Sequence, residues 1–255
     1  MSNALQLFAL GGLPLIEPGD DLASLLVGAA SQVADGMRDA DVLVVAQKIV
    51  SKAEGRYLDL QTVQPSAEAL DVAARTGKEP RFVEAVLRES VAVLRAARNV
   101  LITRHRLGYV MANAGIDRSN LRHPSGSDLV LLLPIDPDRT ARDLRDAIRA
   151  ATGHLIGVVV SDSFGRPWRV GTVNVALGVA GMPSLLDLRG GQDRHGRRLE
   201  TTQIAFADAV AAAAGIAMGE AAESTPAVLV RGLHWSAPDC DSRALIRPVA
   251  EDLFL

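Results

Sequence analysis

Leu155-Ile156-Gly157-Val158-Val159-Val160 is an uninterrupted apolar run, which is typical of a buried strand. Further strand-like runs occur at residues 6–10, 42–50, 99–103, 129–133 and 227–230. Helical patterns lie between them, at residues 21–37, 66–75, 80–87, 138–151 and 200–218. This alternation predicts a mixed α/β (α+β) fold.

The apolar run leads directly into Ser161-Asp162-Ser163-Phe164-Gly165-Arg166-Pro167-Trp168-Arg169. This segment presents a carboxylate, hydroxyls and guanidiniums where the strand is expected to end. Hard divalent cations take oxygen ligands and often share them with substrate phosphates, and a guanidinium matches phosphate or carboxylate geometry. The segment therefore predicts a site for metal-bound phosphate. The alternative is an ordinary turn in which Asp162 caps backbone N–H groups.

A second polar segment is Asn113-Ala114-Gly115-Ile116-Asp117-Arg118-Ser119-Asn120. Taken alone, it has the composition of a plain turn. Together with Asp162 and Ser163, however, Asp117 would supply a pair of carboxylates, which phosphoryl transfer commonly uses to hold a metal–nucleotide complex. We treat the proximity of Asp117 and Asp162 as a hypothesis.

Composition excludes several classes of function. With 255 residues, the chain can form a sizeable core, as one domain or as two closely joined subdomains. A net charge of −3 and an aromatic content of 4% argue against a nucleic-acid partner. Cys240 is the only cysteine, which excludes an intrachain disulfide. We see neither an export signal nor a membrane span, and we expect a cytoplasmic protein with no membrane partner.

Common nucleotide-binding motifs are absent, because the chain has neither a P-loop nor a Rossmann fingerprint, and it also lacks a His-Glu-x-x-His zinc motif. Gly12-Leu13-Pro14-Leu15-Ile16 could hold a purine against an apolar wall or simply form a β-turn. Gln47-Lys48-Ile49-Val50-Ser51-Lys52 is expected to end the strand that starts near Val42. Its two lysines could neutralise a triphosphate or serve only solubility.

Five ordered blocks together resemble the F420 gamma-glutamyl ligase family. They are 12–16, 50–55, 113–120, 161–169 and 228–232, and they span most of the chain. The resemblance implies a two-part ligase fold and a homodimer. It also implies addition of L-glutamate to the deazaflavin precursor F420-0, driven by GTP with Mg²⁺ or Mn²⁺ and aided by K⁺. The carboxylate would pass through an acyl phosphate.

The resemblance also implies roles for individual residues. Asp117, Asp162, Ser163 and Glu220 look like metal ligands, with Asp117 and Asp162 also catalytic. The nucleotide would contact Leu13, Pro14, Leu15, Ile16, Gln47, Lys48, Lys52, Asn120, Met218, Gly219 and Glu220. Gln47 and Lys48 stand where other members have small hydroxylated residues, so a backbone contact is expected there. Arg166 and Arg169 are our own candidates for binding phosphate or the substrate carboxylate.

Residues 1–255 are expected to form a single catalytic unit, either one domain or two interleaved subdomains. Some members of the family carry a C-terminal flavin-binding reductase-like domain, which we do not expect here although residues 243–252 resemble the junction to it. Three alternatives remain open: a metal-dependent phosphohydrolase that uses the same carboxylates, a ligand carrier without turnover, and a related ligase for a modified precursor or another amino acid.

Overall fold

A computed structural model describes residues 4–118, 128–165 and 167–252. Within these ranges the chain forms twelve strands and six α-helices. The strands are β1 (Gln6–Ala9), β2 (Val42–Ala46), β3 (Tyr57–Asp59), β4 (Ser90–Ala97), β5 (Val100–His105), β6 (Val110–Ala112), β7 (Leu129–Leu131), β8 (Gly157–Gly165), β9 (Thr172–Ala180), β10 (Leu185–Asp187), β11 (Gln203–Ala205) and β12 (Ala227–Arg231). The helices are α1 (Leu22–Val33), α2 (Gln47–Ala53), α3 (Ala67–Thr76), α4 (Pro80–Arg88), α5 (Pro137–Thr152) and α6 (Phe206–Met218). The predicted mixed α/β fold is confirmed.

A five-stranded sheet in the order β1-β12-β2-β8-β9 organises the largest core. Strands β2 and β8 run parallel, and the other neighbours are antiparallel. Parallel neighbours end at the same edge of a sheet, so the residues that follow β2 lie beside the second half of β8. This edge carries the candidate site.

Both faces of this sheet are covered by helices. Along β2, Val42 and Val44 pack with α6, whereas Leu43 and Val45 pack with α1 and α5. This is the two-residue alternation of a strand, and burial on both faces explains the continuous apolar runs. Asp21 caps α1 by accepting a hydrogen bond from the backbone of Ser24, as expected from the sequence. Among the described residues, every helix is too short or too polar to cross a lipid bilayer.

A second hydrophobic cluster lies away from the sheet. It joins α3 and α4 to the inward side of β5 and to the strand pair β3–β7. Strands β4, β5 and β6 form a separate antiparallel sheet in that order. One face of this small sheet packs on the cluster, and the other face turns toward the site.

Four predicted boundaries are wrong, and one of them is the end of α1, which was expected at residue 37 but lies at Val33. The strand predicted over 42–50 ends at Ala46, because its neighbour β12 begins at Ala227 directly after Pro226, which has no amide hydrogen to extend the ladder. Residues from Gln47 onward turn into α2 instead. The helix predicted over 200–218 begins only at Phe206, since residues 203–205 pair with β10.

The fourth wrong boundary is the turn expected after the apolar run 155–160. Strand β8 instead continues to Gly165 as a ribbon with β9, beyond its last pairing with β2 at Ser161. A bulge marks the start of this ribbon, because Val160 pairs with Gly178 and Ser161 with Ala176, which leaves Leu177 as the extra residue.

The bulge exposes a backbone carbonyl that two hydroxyl groups bind. Both Tyr109 and Ser242 donate hydrogen bonds to the carbonyl of Leu177. The backbone N–H of Ser242 also donates to the buried carboxylate of Asp138. The Ser242 hydroxyl lies 2.9 Å from the second oxygen of that carboxylate, so its single proton is shared between Asp138 and Leu177. Burial raises the pKa of Tyr109 to about 12, so this phenol stays protonated as a donor. The ribbon, α5 and the C-terminal segment are therefore joined at one point.

At the opposite edge of the sheet, Arg231 forms a buried ion pair with Asp41. Its Nε and Nη2 atoms lie 2.9 and 2.7 Å from the two carboxylate oxygens of Asp41. The same guanidinium donates to the carbonyls of Ala34 and Gly36 and lies over the ring of Phe8. Arg231 therefore ties β12 to the end of α1.

Candidate functional site

A large cleft opens where β2 and β8 end, between the five-stranded sheet and the small sheet β4-β5-β6. Its volume is about 2110 Å³. Ordinary small-molecule sites enclose roughly 300–1,000 Å³, so the cleft has room for more than one ligand.

Asp162 lies on the ribbon of β8 at the floor of the cleft. Burial raises the pKa of this carboxyl to about 7. The backbone N–H of Ser163 and the charge of Lys48 act in the opposite direction, whereas the negative charges of Asp117 and Glu220 raise the pKa further. Asp117 and Glu220, from separate parts of the chain, therefore lie close enough to Asp162 to influence its charge, and all three residues line the cleft.

Asp117 reaches the same point from a constrained turn. The 3-10 turn Asn113–Gly115 holds Ala114 at φ 51°, and a Cβ at Gly115 would lie 2.7 Å from Met111 and 2.9 Å from Leu133. The backbone of Asp117 then bridges to Leu131 of β7. The turn therefore needs both a left-handed backbone and glycine, and it fixes the direction of the Asp117 carboxylate.

Two lysines of α2 face these carboxylates. Lys48 Nζ lies 2.6 Å from Asp117 Oδ2. Burial lowers the pKa of Lys52 and the charge of Lys48 lowers it further, whereas Glu17 and Asp117 raise it. Both ammonium groups line the cleft. A site with paired positive and negative groups is suited to an anionic ligand that carries its own cation.

The predicted nucleotide segment 13–16 forms one rim of the cleft. All four of its residues line the opening, with Leu15 77% exposed and Ile16 buried in the core beneath. Gln47 also lines the cleft, but its side-chain carbonyl accepts a hydrogen bond from Ser51 within α2. An exposed apolar residue anchored by a buried neighbour can pack on a flat ring.

The end of α6 supplies another part of the rim. Met218, Gly219 and Glu220 all line the cleft, and Gly219 ends the helix at φ 72°. The hydroxyl of Thr225 donates to the carbonyl of Met218, which satisfies one of the open carbonyls at the helix end. Met218, Gly219 and Glu220 therefore line the same cleft as the predicted nucleotide segment 13–16.

Ser163 and Arg169 line the cleft as well, with Arg169 exposed near the turn that joins β8 to β9. Arg166 and Asn120, which were also predicted to contribute, lie outside the described residues.

The sequence prediction missed two polar residues of the floor. Asn174 of β9 pairs with Ser163 across the ribbon, and it is almost fully buried. Asp208 of α6 accepts a hydrogen bond from the backbone of Ala176, and burial raises its pKa. Nearby, Ser161 Oγ is buried without a hydrogen-bond partner among the described residues. Predicting these residues would have required knowledge of how β9 pairs with β8 and packs on α6, and no sequence motif indicates either.

The sequence model of the family F420-0:Gamma-glutamyl ligase matches residues 12–232. The chain belongs to this family. It is 43% identical to the coenzyme F420:L-glutamate ligase of Methanothermobacter thermautotrophicus, over 98% of both chains. It is also 43% identical to the enzyme of that name from Methanopyrus kandleri, over 96% of this chain and all of the relative, and 44% identical to that of Haloarcula marismortui, over 98% and 95%.

The donor set of this ligase-family site fits a hard divalent cation that is shared with a ligand. No three His, Cys, Asp or Glu side chains of the described residues are arranged to enclose a metal ion by themselves. Mg²⁺ is usually held by one or two carboxylates together with substrate phosphates and water. The mutual repulsion of Asp162 with Asp117 and Glu220 favours a cation at this point.

Proposed function

We propose that this protein is a ligase that joins L-glutamate to the carboxylate of coenzyme F420-0 in an amide bond, in coenzyme F420 biosynthesis. Membership of the F420-0:gamma-glutamyl ligase family and the names of the relatives support this reaction. The observation that carries it is that Asp117, Asp162, Glu220 and Lys48 line one cleft that is large enough for several ligands.

We infer that GTP supplies the driving force. A carboxylate does not react with an amine until one of its oxygens becomes a leaving group. The carboxylate of F420-0 would attack the γ-phosphorus of GTP, which releases GDP and forms an acyl phosphate. The glutamate amine would then attack the acyl carbon, lose a proton and expel inorganic phosphate. The products are therefore the amide, GDP and phosphate.

Two anions must meet before the first of these steps can occur. Lys48 and Lys52 of α2 line the cleft, where their positive charges would offset the repulsion between triphosphate and carboxylate. Leu13, Pro14, Leu15 and Ile16 would pack on the guanine ring, with Gln47, Met218 and Gly219 along the rest of the nucleotide. Arg169 would contact a phosphate or carboxylate from the turn of the ribbon.

Asp117, Asp162, Ser163 and Glu220 would hold Mg²⁺ or Mn²⁺ here. Such an ion supplies neutralisation of phosphate charge as the γ-phosphoryl group is transferred. Its presence would also reverse the raised pKa of Asp162, because a bound cation favours the ionised carboxyl. The involvement of K⁺ and the homodimer stay predictions from the family resemblance.

The function is tested by incubating the purified protein with F420-0, L-glutamate, GTP and Mn²⁺, while each component is left out in turn. Mass spectrometry follows the glutamyl product, and a coupled assay follows phosphate. We expect product and GDP in equal amounts only in the complete mixture. Phosphate release without glutamate would instead identify a phosphohydrolase, and binding of both ligands without turnover would identify a carrier.

Asp162→Asn is the most informative variant for this assay. Because burial already disfavours the charged carboxyl, the neutral amide should leave the melting temperature of the metal-free protein unchanged or higher. Turnover should fall roughly 100-fold or more if the ionised group serves the reaction. Asp143→Asn, at an exposed position of α5, is the matched control and should keep full activity. Full activity of Asp162→Asn would refute its catalytic role.

A further inference from the structure

The far wall of the cleft has no part in the proposed binding of GTP and metal. It is the face of the small sheet β4-β5-β6 that points away from the hydrophobic cluster. Along β5, Leu101, Thr103 and His105 are buried against the interior, whereas Ile102 and Arg104 face the cleft. Because side chains alternate along a strand, the residues of β5 that face the cleft are not the ones that pack in the hydrophobic core.

Cross-strand pairing arranges the exposed face in two rows. Arg95, Ile102 and Ala112 lie side by side in the first row, and Arg104 and Val110 lie side by side in the second. All five line the cleft. The apolar members offer a flat surface, and each row carries one guanidinium.

An aromatic pair connects this face to the floor of the cleft. The rings of Tyr109 and Phe164 meet edge to face, with centroids 6.4 Å apart and planes at 83°. Phe164 follows Asp162 by two residues on the same strand, so its ring lies on the same side of the ribbon as Asp162. A flat ligand resting on the small sheet would thus extend toward the reacting end of the site.

Positive charge is concentrated along this wall although the whole chain carries −3. Arg95 and Arg247 are exposed to the cleft, while Arg104 Nη2 lies 3.7 Å from Asp252. Guanidiniums beside an apolar surface match a ligand that combines a flat ring with acidic groups.

We propose that this surface, the acceptor wall (Arg95, Ile102, Arg104, Val110 and Arg247), binds the substrate whose carboxylate is ligated. The ring of that substrate packs on Ile102 and Val110, and its acidic chain contacts Arg95 and Arg247. The inference rests on the proposed function and extends it, since it assigns the half of the cleft that the nucleotide does not use. It makes the wall the determinant of acceptor specificity.

The charged part of the wall is tested with Arg95→Gln and Arg247→Gln. We expect each to raise the KM for F420-0 about 10-fold and to leave the KM values for GTP and L-glutamate within twofold. Direct titration should show the same loss of affinity for F420-0. The affinity for 5-deazariboflavin, which has a similar ring but no acidic group, should not change. Arg98→Gln is the matched control, because Arg98 is exposed in the turn between β4 and β5, outside the cleft.

The apolar part is tested with a matched pair of valines. Val110 and Val100 are 43% and 42% exposed on the same small sheet, but only Val110 lines the cleft. Val110→Asp should weaken binding of both F420-0 and 5-deazariboflavin about 10-fold or more, whereas Val100→Asp should weaken neither. Equal melting temperatures of the two variants would show that folding is not the cause.

The outcomes separate this inference from the function on which it rests. If the wild-type protein ligates glutamate but all three wall variants keep the KM for F420-0 within twofold, the acceptor wall is refuted and the ligase stands. If the wild-type protein neither binds F420-0 nor forms product, both proposals fail. A parallel rise in the KM for GTP in the arginine variants would also overturn the inference, because it would assign those arginines to the nucleotide.

Discussion

Replacement of Arg231 by methionine would remove the cation of the buried pair at the edge of the main sheet. Methionine keeps much of the length and apolar surface of the arginine stem, so the principal change is electrostatic. Asp41 would remain with its carboxylate 1% exposed and with no guanidinium beside it. The carbonyls of Ala34 and Gly36 would lose their donors at the same time.

The size of the effect follows from this burial. Removing one partner of a buried ion pair destabilises a protein by about 3–5 kcal/mol, because the remaining charge is desolvated and uncompensated. For a chain of this size, each kcal/mol lowers the melting temperature by roughly 2–4 °C. We therefore expect Arg231→Met to melt about 6–20 °C below the wild type. Because the pair lies far from the cleft, turnover at a permissive temperature should be unchanged.

Calorimetry and guanidinium unfolding would measure this loss. The double variant Arg231→Met/Asp41→Asn should recover part of it, since the uncompensated charge is gone. Arg149→Met, on the exposed side of α5, is the control and should change stability by less than about 0.5 kcal/mol. A loss below about 1 kcal/mol for Arg231→Met, with an unchanged denaturant slope, would refute the reasoning.

Three further changes test other parts of the fold. Gly178→Ala would place a Cβ 2.2 Å from the carbonyl oxygen of Pro137, so we expect a loss of several kcal/mol and a lower melting temperature by calorimetry. Glu79→Ala would remove the cap whose carboxylate accepts from Phe82 N, and urea unfolding should show a loss of about 1 kcal/mol. Burial would raise the pKa of Glu89, but nearby His105 and the charges of two arginines together hold it below the usual value. A depressed folded pKa stabilises the protein above the unfolded pKa of about 4.3 and ceases to do so as the pH falls through the folded value. The stability difference between wild type and Glu89→Gln should therefore shrink between pH 6 and pH 3; a constant difference would contradict this assignment.

The sequence predicts the centre of the fold better than its margins, for a physical reason. Strands β2 and β8 are buried on both faces, so their apolar runs are visible without any partner. Strand β4 is half exposed and its pairing is interrupted twice, which leaves neither a continuous apolar run nor a regular alternation. Strand β9 is not predicted for a different reason: Gly178 and the bulged Leu177 interrupt the alternation of side chains that would identify a strand.

The wrong end of β2 shows where local patterns fail. Ile49 and Val50 continue the apolar run, so the sequence alone extends the strand. The chain turns into α2 because the neighbouring strand β12 cannot extend the ladder beyond Ala46. The end of β2 is therefore set by a strand some 180 residues away in the sequence, which a local pattern cannot show. The turn also sets the direction of Lys48 and thus the composition of the site.

The site itself was partly predictable. Asp117 and Asp162 have the residue type that binds hard cations, and family resemblance placed them in one site before the structure brought them together. Asn174 and Asp208 carried no such signal, because their position depends on the pairing of β9 and on the packing of α6. The acceptor wall is less visible still, since its five residues come from three strands and one terminal segment.

The bulge in β9 constrains how this site can diverge. Leu177 is the extra residue, so its deletion would leave Ser161 opposite Ala176 and Val160 opposite Gly178, with Asn174 still opposite Ser163. The pairing of the floor would survive, but the carbonyl that accepts from Tyr109 and Ser242 would be lost. A single-codon deletion at this position would thus detach the ribbon from the small sheet and the C-terminal segment, whereas a substitution of Leu177 keeps the carbonyl in place. Length, more than composition, is what natural variation should preserve in this strand.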